Sequence, residues 1–176
     1  MDQKIKIEDV TLLRVIEELL SNAIDAKAKN IYVELNVSKD GLINIEVQDD
    51  GEVIGNVDTF LNEGVSYKNS SGMGLYLIKE FCLKQSGDVT INRLDRTNVN
   101  LYYQNSFSLD KLNGLEDILY GISITEANII FKFTLLDYSF TYNSKQIKDI
   151  LNGVSIKELQ VMNFIKEYIR EGLKQK

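Results

Sequence analysis

The sequence predicts an α+β fold, a two-layer sandwich in which helices cover one face of a sheet. Three observations carry this prediction. Apolar residues recur at the helical period over 11–27. They alternate at period two over 31–47 and again from 89 onward. A second helical stretch, 75–84, stands between these strand pairs. With 176 residues, 44% of them hydrophobic, the chain can bury one ordinary core, or a smaller core with an appendage.

Taken in order, residues 5–7 read as a short edge strand. The first helix runs from Thr11 to Lys27, with Leu12, Val15, Ile16, Leu19, Ala23 and Ile24 on its buried face. Ile31, Val33 and Leu35, then Ile43, Ile45 and Val47, form an antiparallel hairpin turned by Lys39-Asp-Gly41. Residues 57–62 read as a short helix, and the small polar stretch 63–71 as a loop. The helix from Leu75 to Lys84 buries Leu75, Ile78 and Cys82 and breaks at Ser86-Gly87-Asp88. Strands follow at 89–93 and 98–104. Asn105 to Gly121 has no clean period. Ile129, Phe131, Phe133 and Leu135 alternate as a strand, with 139–142 pairing back on it. Ser155 and Glu158 form a capping box for a last helix, 156–171, whose Ile156, Leu159, Met162, Ile165 and Ile169 need a surface to cover. The expected division is a core domain over 1–105 and a small α+β appendage over 106–176.

Composition removes several function classes. Histidine is absent, which excludes His-ligated zinc, a Ser-His-Asp triad and an internal phosphoacceptor histidine. Twenty Lys and Arg against 26 Asp and Glu give a net charge of −6, which argues against a nucleic-acid surface. The lone cysteine, Cys82, cannot form an internal disulfide, and the expected setting is the reducing cytoplasm. No apolar run has the length of a membrane span, and Met1-Asp-Gln-Lys-Ile-Lys is not a secretory segment. No membrane partner is expected.

The chemistry concentrates in the first half. Glu18, Asn22 and Asp25 stand at spacings of four and three, one polar stripe on an apolar helix. A carboxylate at 18 can take a proton from a water. The Asn22 amide oxygen suits Mg²⁺, a hard cation that shares its ligands with phosphates. Asp25 lies in the last helical turn, where a negative charge is unfavourable and needs compensation. Asp49 ends a strand beside Gly51, a position where a carboxylate can accept an exocyclic amine. Gly72-Met-Gly74-Leu75 opens a helix whose backbone N–H groups can cradle phosphate.

These elements, in this order, resemble the ATPase superfamily of DNA gyrase, heat-shock protein 90, histidine kinases and MutL, the GHKL group with the Bergerat-type ATP-binding fold. Glu18 to Leu35 is most similar to the MutL and MORC branch. Gly72 to Lys79, with Ser86-Gly87-Asp88-Val89-Thr90-Ile91, is more similar to the histidine kinases. The resemblance covers residues 8–104 and implies ATP and Mg²⁺ as cofactors. It implies Glu18 as general base and Asn22 as Mg²⁺ ligand. Asp49 would read adenine beside Gly51, with Thr90 in support, and Gly72, Gly74 and Leu75 would form the second glycine box. Gly64-Val-Ser-Tyr-Lys68 is similar to a MORC-like run in which Lys68 reaches the terminal phosphate.

Two departures qualify the expectation. Val53 stands where the family's Asp-x-Gly-x-Gly box has its second glycine, and the chain is too short for the second domain of MutL and gyrase. The expected function is therefore a slow Mg²⁺-dependent ATPase whose nucleotide state switches contact with a protein partner or a second copy. An anti-sigma-type serine kinase and a non-catalytic binding module are the alternatives. Nucleic acid enters only by family analogy.

Overall fold

The structure, a computed structural model, describes residues 6–52, 61, 74–107, 109–112, 114–125, 127–135 and 138–151. In chain order these form α1 (Leu12–Asp25), β1 (Asn30–Val37), β2 (Leu42–Asp49), α2 (Leu75–Lys84), β3 (Asp88–Arg93), β4 (Thr97–Gln104), α3 (Leu115–Ser123), β5 (Asn128–Leu135), β6 (Tyr138–Asn143) and α4 (Ser144–Leu151). Short 3-10 turns stand at Ile7–Asp9 and Leu109–Leu112. The strands make one sheet in the order β3-β4-β2-β1-β5-β6. All neighbours are antiparallel except β1 and β5.

Alternation decides which face of the sheet is covered. Ile31, Val33, Leu35 and Val37 of β1 pair across with Asp49, Val47, Ile45 and Ile43 of β2, and all eight are buried. Val99, Leu101 and Tyr103 of β4 and Ile129, Phe131, Phe133 and Leu135 of β5 continue the same face. Helix α1 seals it with Val15, Ile16, Leu19, Leu20 and Ala23, and α2 adds Ile78, Phe81 and Cys82. The opposite face is polar. There Tyr32 and Asn36 donate to Glu34, Gln48 donates to Glu46, and Asn44 donates to Asn100.

The helices end where their local chemistry dictates. Thr11 caps α1 by accepting the Arg14 N–H at 3.2 Å. The helix stops at Asp25, two residues before the expected end. Lys27 takes a left-handed φ of 61°, and the N–H groups of Lys27 and Ala28 return to the carbonyls of Ile24 and Ala23. Helix α2 closes the same way, with Ser86 left-handed and the Gly87 N–H on the Cys82 carbonyl. Burial and the nearby Asp88 push the Cys82 thiol up to about 12, so it stays a neutral core group.

Several expectations need correction. Ile7 begins a 3-10 turn rather than continuing a strand, because Asp9 takes the Lys6 N–H at 3.1 Å and bends the chain back. The stretch 105–121, without a clean period, contains the Leu109–Leu112 turn and the start of α3. Helix α4 was unforeseen. The Asn143 and Gln146 side chains each accept the other's backbone N–H at 2.9 Å, a capping box spelled Asn-x-x-Gln. Strands β5 and β6, the expected pair at 129–135 and 139–142, extend the core sheet through the parallel β1–β5 pair. The expected helices at 57–62 and 156–171 and the loop at 63–71 lie outside the described residues, Leu61 excepted.

Two stability outcomes follow. A Cβ on Gly87 would lie 1.7 Å from the Tyr102 carbonyl oxygen, so Gly87→Ala forces the α2–β3 turn off β4. We expect a loss of about 3 kcal/mol in denaturant unfolding. Phe131→Ala on β5 should cost about 3–5 kcal/mol and leave a single cooperative transition. Two separate transitions would show that β5 is not part of the common core.

Candidate functional site

The site begins where β2 leaves the sheet. Asp49 is the last residue of β2 on the covered face and is 7% exposed. Its Oδ1 accepts the Gly51 N–H at 2.8 Å, so the chain turns sharply under the carboxylate. The turn then meets the end of α1, where the Glu52 N–H donates to the Ala26 carbonyl at 2.6 Å. A Cβ on Gly51 would lie 2.7 Å from that same Ala26 oxygen and 2.8 Å from the Ala26 Cβ. The glycine is thus required by the close passage of the helix end. Asp50 makes a second tie, accepting the N–H groups of Lys29 and Asn30 at 2.8 and 2.9 Å and the Asn30 amide at 2.8 Å.

Register places two further side chains in line with Asp49. Thr97 on β4 pairs with Asp49, and Arg93 on β3 pairs with Thr97. One terminal nitrogen of Arg93, Nη1, donates to the Gly51 carbonyl at 2.9 Å and to Thr97 Oγ1 at 2.7 Å. Thr97 is buried, with 8% exposure.

A cleft lies between α1, the ends of β2, β3 and β4, and the start of α2. Leu19, Val47, Leu75, Ile91 and Val99 give it apolar walls, and Asn22, Asp49, Glu52 and Thr97 give it polar groups. Apolar walls with a few fixed polar groups suit a flat heteroaromatic ring with a polar edge. Among the described residues no cluster of three or more Cys, Asp or Glu could hold a metal by itself. A cation here would be one shared with ligand phosphates, with Asn22 the amide that suits it.

The expected site residues divide as follows. Asn22, Asp49 and Leu75 line the cleft, and Gly51 sits in the turn beneath it. Gly74 precedes α2 as its N-cap, its carbonyl taking the Leu77 and Ile78 N–H groups. Glu18 is buried, 5% exposed, one helical turn before Asn22, and is not part of the cleft wall. Asp25 is half-buried at the helix end and likewise outside the wall. Thr90 does not belong to the site. It is exposed on the other face of β3, its hydroxyl 3.4 Å from the Asn100 carbonyl. The threonine of the cleft is Thr97. Lys68, Gly72 and Val53 lie outside the described residues. Sequence reading missed Thr97 and Arg93, although Thr97 heads the inward alternation Val99, Leu101, Tyr103.

Electrostatics set the two neighbouring aspartates apart. Burial raises the Asp49 carboxyl above its ordinary 3.8. The Gly51 N–H and Arg93 pull it partly back, and Asp50 pushes it up. Asp50 is lowered, first by its bond from the Asn30 side chain. For Asp49 the folded state holds the proton more tightly, so stability falls as pH rises from 3.8 through the raised value. For Asp50 the sense is opposite: its contribution is present at neutral pH and lost as pH falls through its lowered value. Asp49→Asn should therefore melt at or above the wild-type temperature at pH 7, with the gap closing below about pH 4. A melting temperature several degrees lower at pH 7 would make Asp49 a structural charge instead.

A sequence model described as histidine kinase-, DNA gyrase B-, and HSP90-like ATPase matches residues 8–107, more than half of the chain. No curated protein matches the sequence. Similar solved structures include the catalytic domain of the histidine kinase ThkA, 18% identical with a TM-score of 0.41, covering 52% of this chain and 64% of that one. The N-terminal domain of a DNA repair protein is 13% identical with a TM-score of 0.47, covering 76% and 51%. The topoisomerase IV ATP-binding domain of Francisella tularensis is 14% identical with a TM-score of 0.42, covering 73% and 85%. This chain thus spans less than two thirds of the length of the first two. By the family match, with its Bergerat-type sandwich, the chain belongs to the histidine kinase-, DNA gyrase B- and HSP90-like (GHKL) ATPases and carries their ATP-binding domain.

Proposed function

We propose that the cleft binds ATP with Mg²⁺ and hydrolyses it slowly, and that nucleotide state switches contact with a protein partner or a second copy. One observation carries the reading: Asn22 of α1, Asp49 of β2 and Leu75 of α2, from three separate elements, line one cleft. Asp49 accepts the adenine amine. Asn22 would hold Mg²⁺ through its amide oxygen, and the ion would supply charge neutralisation at the phosphates. The N-terminus of α2, with Gly74 and Leu75, would meet the phosphates with its first N–H groups, and the resemblance assigns Gly72 and Lys68, which lie outside the described residues, to the same role. Glu18, one turn before Asn22, acts as the general base, and Asp25 supports the polar end of the helix. Residues 106–176 lie almost wholly beyond the family match and are the natural place for the partner contact. The lone buried thiol suits a reducing interior such as the cytoplasm. Among the described residues no helix is long and apolar enough to cross a membrane.

The test is ATP turnover with Mg²⁺. Glu18→Gln should keep nucleotide affinity within about threefold and lose turnover by about 10²–10⁴-fold. Asn22→Ala should lose the Mg²⁺ dependence of binding. Turnover equal to wild type in Glu18→Gln removes Glu18 as base. Transfer of the phosphate to a co-purifying protein, with none to water, would replace hydrolysis by kinase chemistry.

A further inference from the structure

Arg93 has no assigned role, yet it reaches the turn beneath the cleft from β3, an edge strand of the sheet. Its Nη1 donates to the Gly51 carbonyl at 2.9 Å and to Thr97 Oγ1 at 2.7 Å. The peptide it grips is fixed at its other end, where the Glu52 N–H donates to the Ala26 carbonyl at 2.6 Å. On the near side of the same glycine, the Gly51 N–H donates to Asp49 Oδ1 at 2.8 Å. One residue thus holds the carboxyl group on its amide and the guanidinium on its carbonyl. A clamp for the turn needs only a hydrogen-bond donor. A guanidinium adds a permanent positive charge beside an acid that is 7% exposed. The other charges around Asp49 offer no substitute. Its own turn holds the acids Asp50 and Glu52, and α1 across the cleft holds the acids Glu18 and Asp25. Lys27 and Lys29 after α1, and Asp95 and Arg96 between β3 and β4, are exposed, and the first turn of α2, 75–78, carries no charge. Burial and Asp50 favour the neutral acid at 49, whereas Arg93 favours the carboxylate.

We propose that Arg93 is a positioning residue that holds Asp49 in the cleft as a carboxylate, and that this charge is what makes the cleft select a purine bearing a 6-amino group. The inference rests on the reading of the cleft as an adenine-nucleotide site and adds the source of its selectivity. A carboxylate has acceptors only. It takes the protons of an amine and repels the lone pair of a ring nitrogen. A neutral carboxyl group has a proton to give, so it accepts a purine whose edge offers only the N1 lone pair. Preference for the amine therefore depends on the ionisation of one buried acid, and Arg93 is the group that secures it.

The probes are ATP and purine riboside triphosphate, which keeps N1 and lacks the amine. Their phosphates titrate alike, so the ratio of their affinities isolates the base edge. The ratio is measured by calorimetry with Mg²⁺ between about pH 5 and 8. In wild type the preference for ATP should hold at neutral pH and fall as the solution is acidified. Arg93→Gln keeps a donor for the Gly51 carbonyl and loses the charge. In it the fall should begin about one pH unit higher, so that within that interval the preference is up to about tenfold weaker than in wild type. Arg93→Lys keeps the charge and should follow the wild-type profile. Asp49→Asn, with no proton to gain there, should show no such step. Arg93→Met, also uncharged, serves if Arg93→Gln does not fold. A bracing role alone makes a different forecast, because a loosened turn weakens both nucleotides at every pH and leaves the profile of their ratio unmoved. That result in Arg93→Gln, or a preference that rises on acidification, overturns the role of Arg93 and leaves the adenine site standing. Wild type that binds neither nucleotide overturns both readings.

Discussion

The close passage of Gly51 over Ala26 is the constraint on which the rest depends. It joins the C-terminal turn of α1 to the exit of β2 with no room for a side chain. The Glu52–Ala26 hydrogen bond locks the two backbones together. Asn22 is four residues before Ala26 and Asp49 two before Gly51, so this contact sets the spacing between the amide and the carboxylate. The left-handed turn at Lys27 exists because the chain must leave the helix at once to begin β1. A helix one turn longer would carry Asn22 away from the strand ends.

A second constraint is that one sheet face does all the packing. Inward residues are apolar until the strand ends, where Asp49 and Thr97 interrupt the pattern side by side. Placing a carboxylate there costs stability, as its raised proton affinity records. Arg93 offsets part of that cost while tying down the turn. Such a group persists at the edge of a core because the position is wanted for something other than packing. The outer face solves a simpler problem with amides, carboxylates and hydroxyls that satisfy one another along and across the strands.

What the sequence disclosed follows from which signals are local. Period-two alternation located β1, β2, β4 and β5 because each buries one face against helices. Helix spacing singled out Glu18 and Asn22, and a strand-end turn singled out Asp49, because both signals are readable along the chain; of the three, Asn22 and Asp49 line the cleft. Thr90 was mistaken for Thr97 because the choice depends on which parity of β3 and β4 points inward, and on the register that sets Asp49 opposite Thr97. Register is a property of paired strands and is invisible in one of them. Arg93 was missed for the same reason. Helix α4 has only eight residues, too few for periodicity, and its clearest local mark was the Asn143–Gln146 cap. The joining of β5 to β1 is a pairing across about a hundred residues, which no local pattern announces.

That parallel pair has a consequence for synthesis on the ribosome. When the family-matched part has emerged, β1 has β2 on one side and nothing on the other, since its second partner begins only at Asn128. A nascent chain at that stage carries an open strand edge rich in β-branched and aromatic residues, Asn30-Ile-Tyr-Val-Glu-Leu-Asn-Val37, in the middle of its future sheet. Loop closure over so long a separation is slow compared with hairpin formation. The half-built sheet therefore waits for its completing strand with the edge unprotected, and the C-terminal strands act as a built-in cover for the nucleotide domain that precedes them.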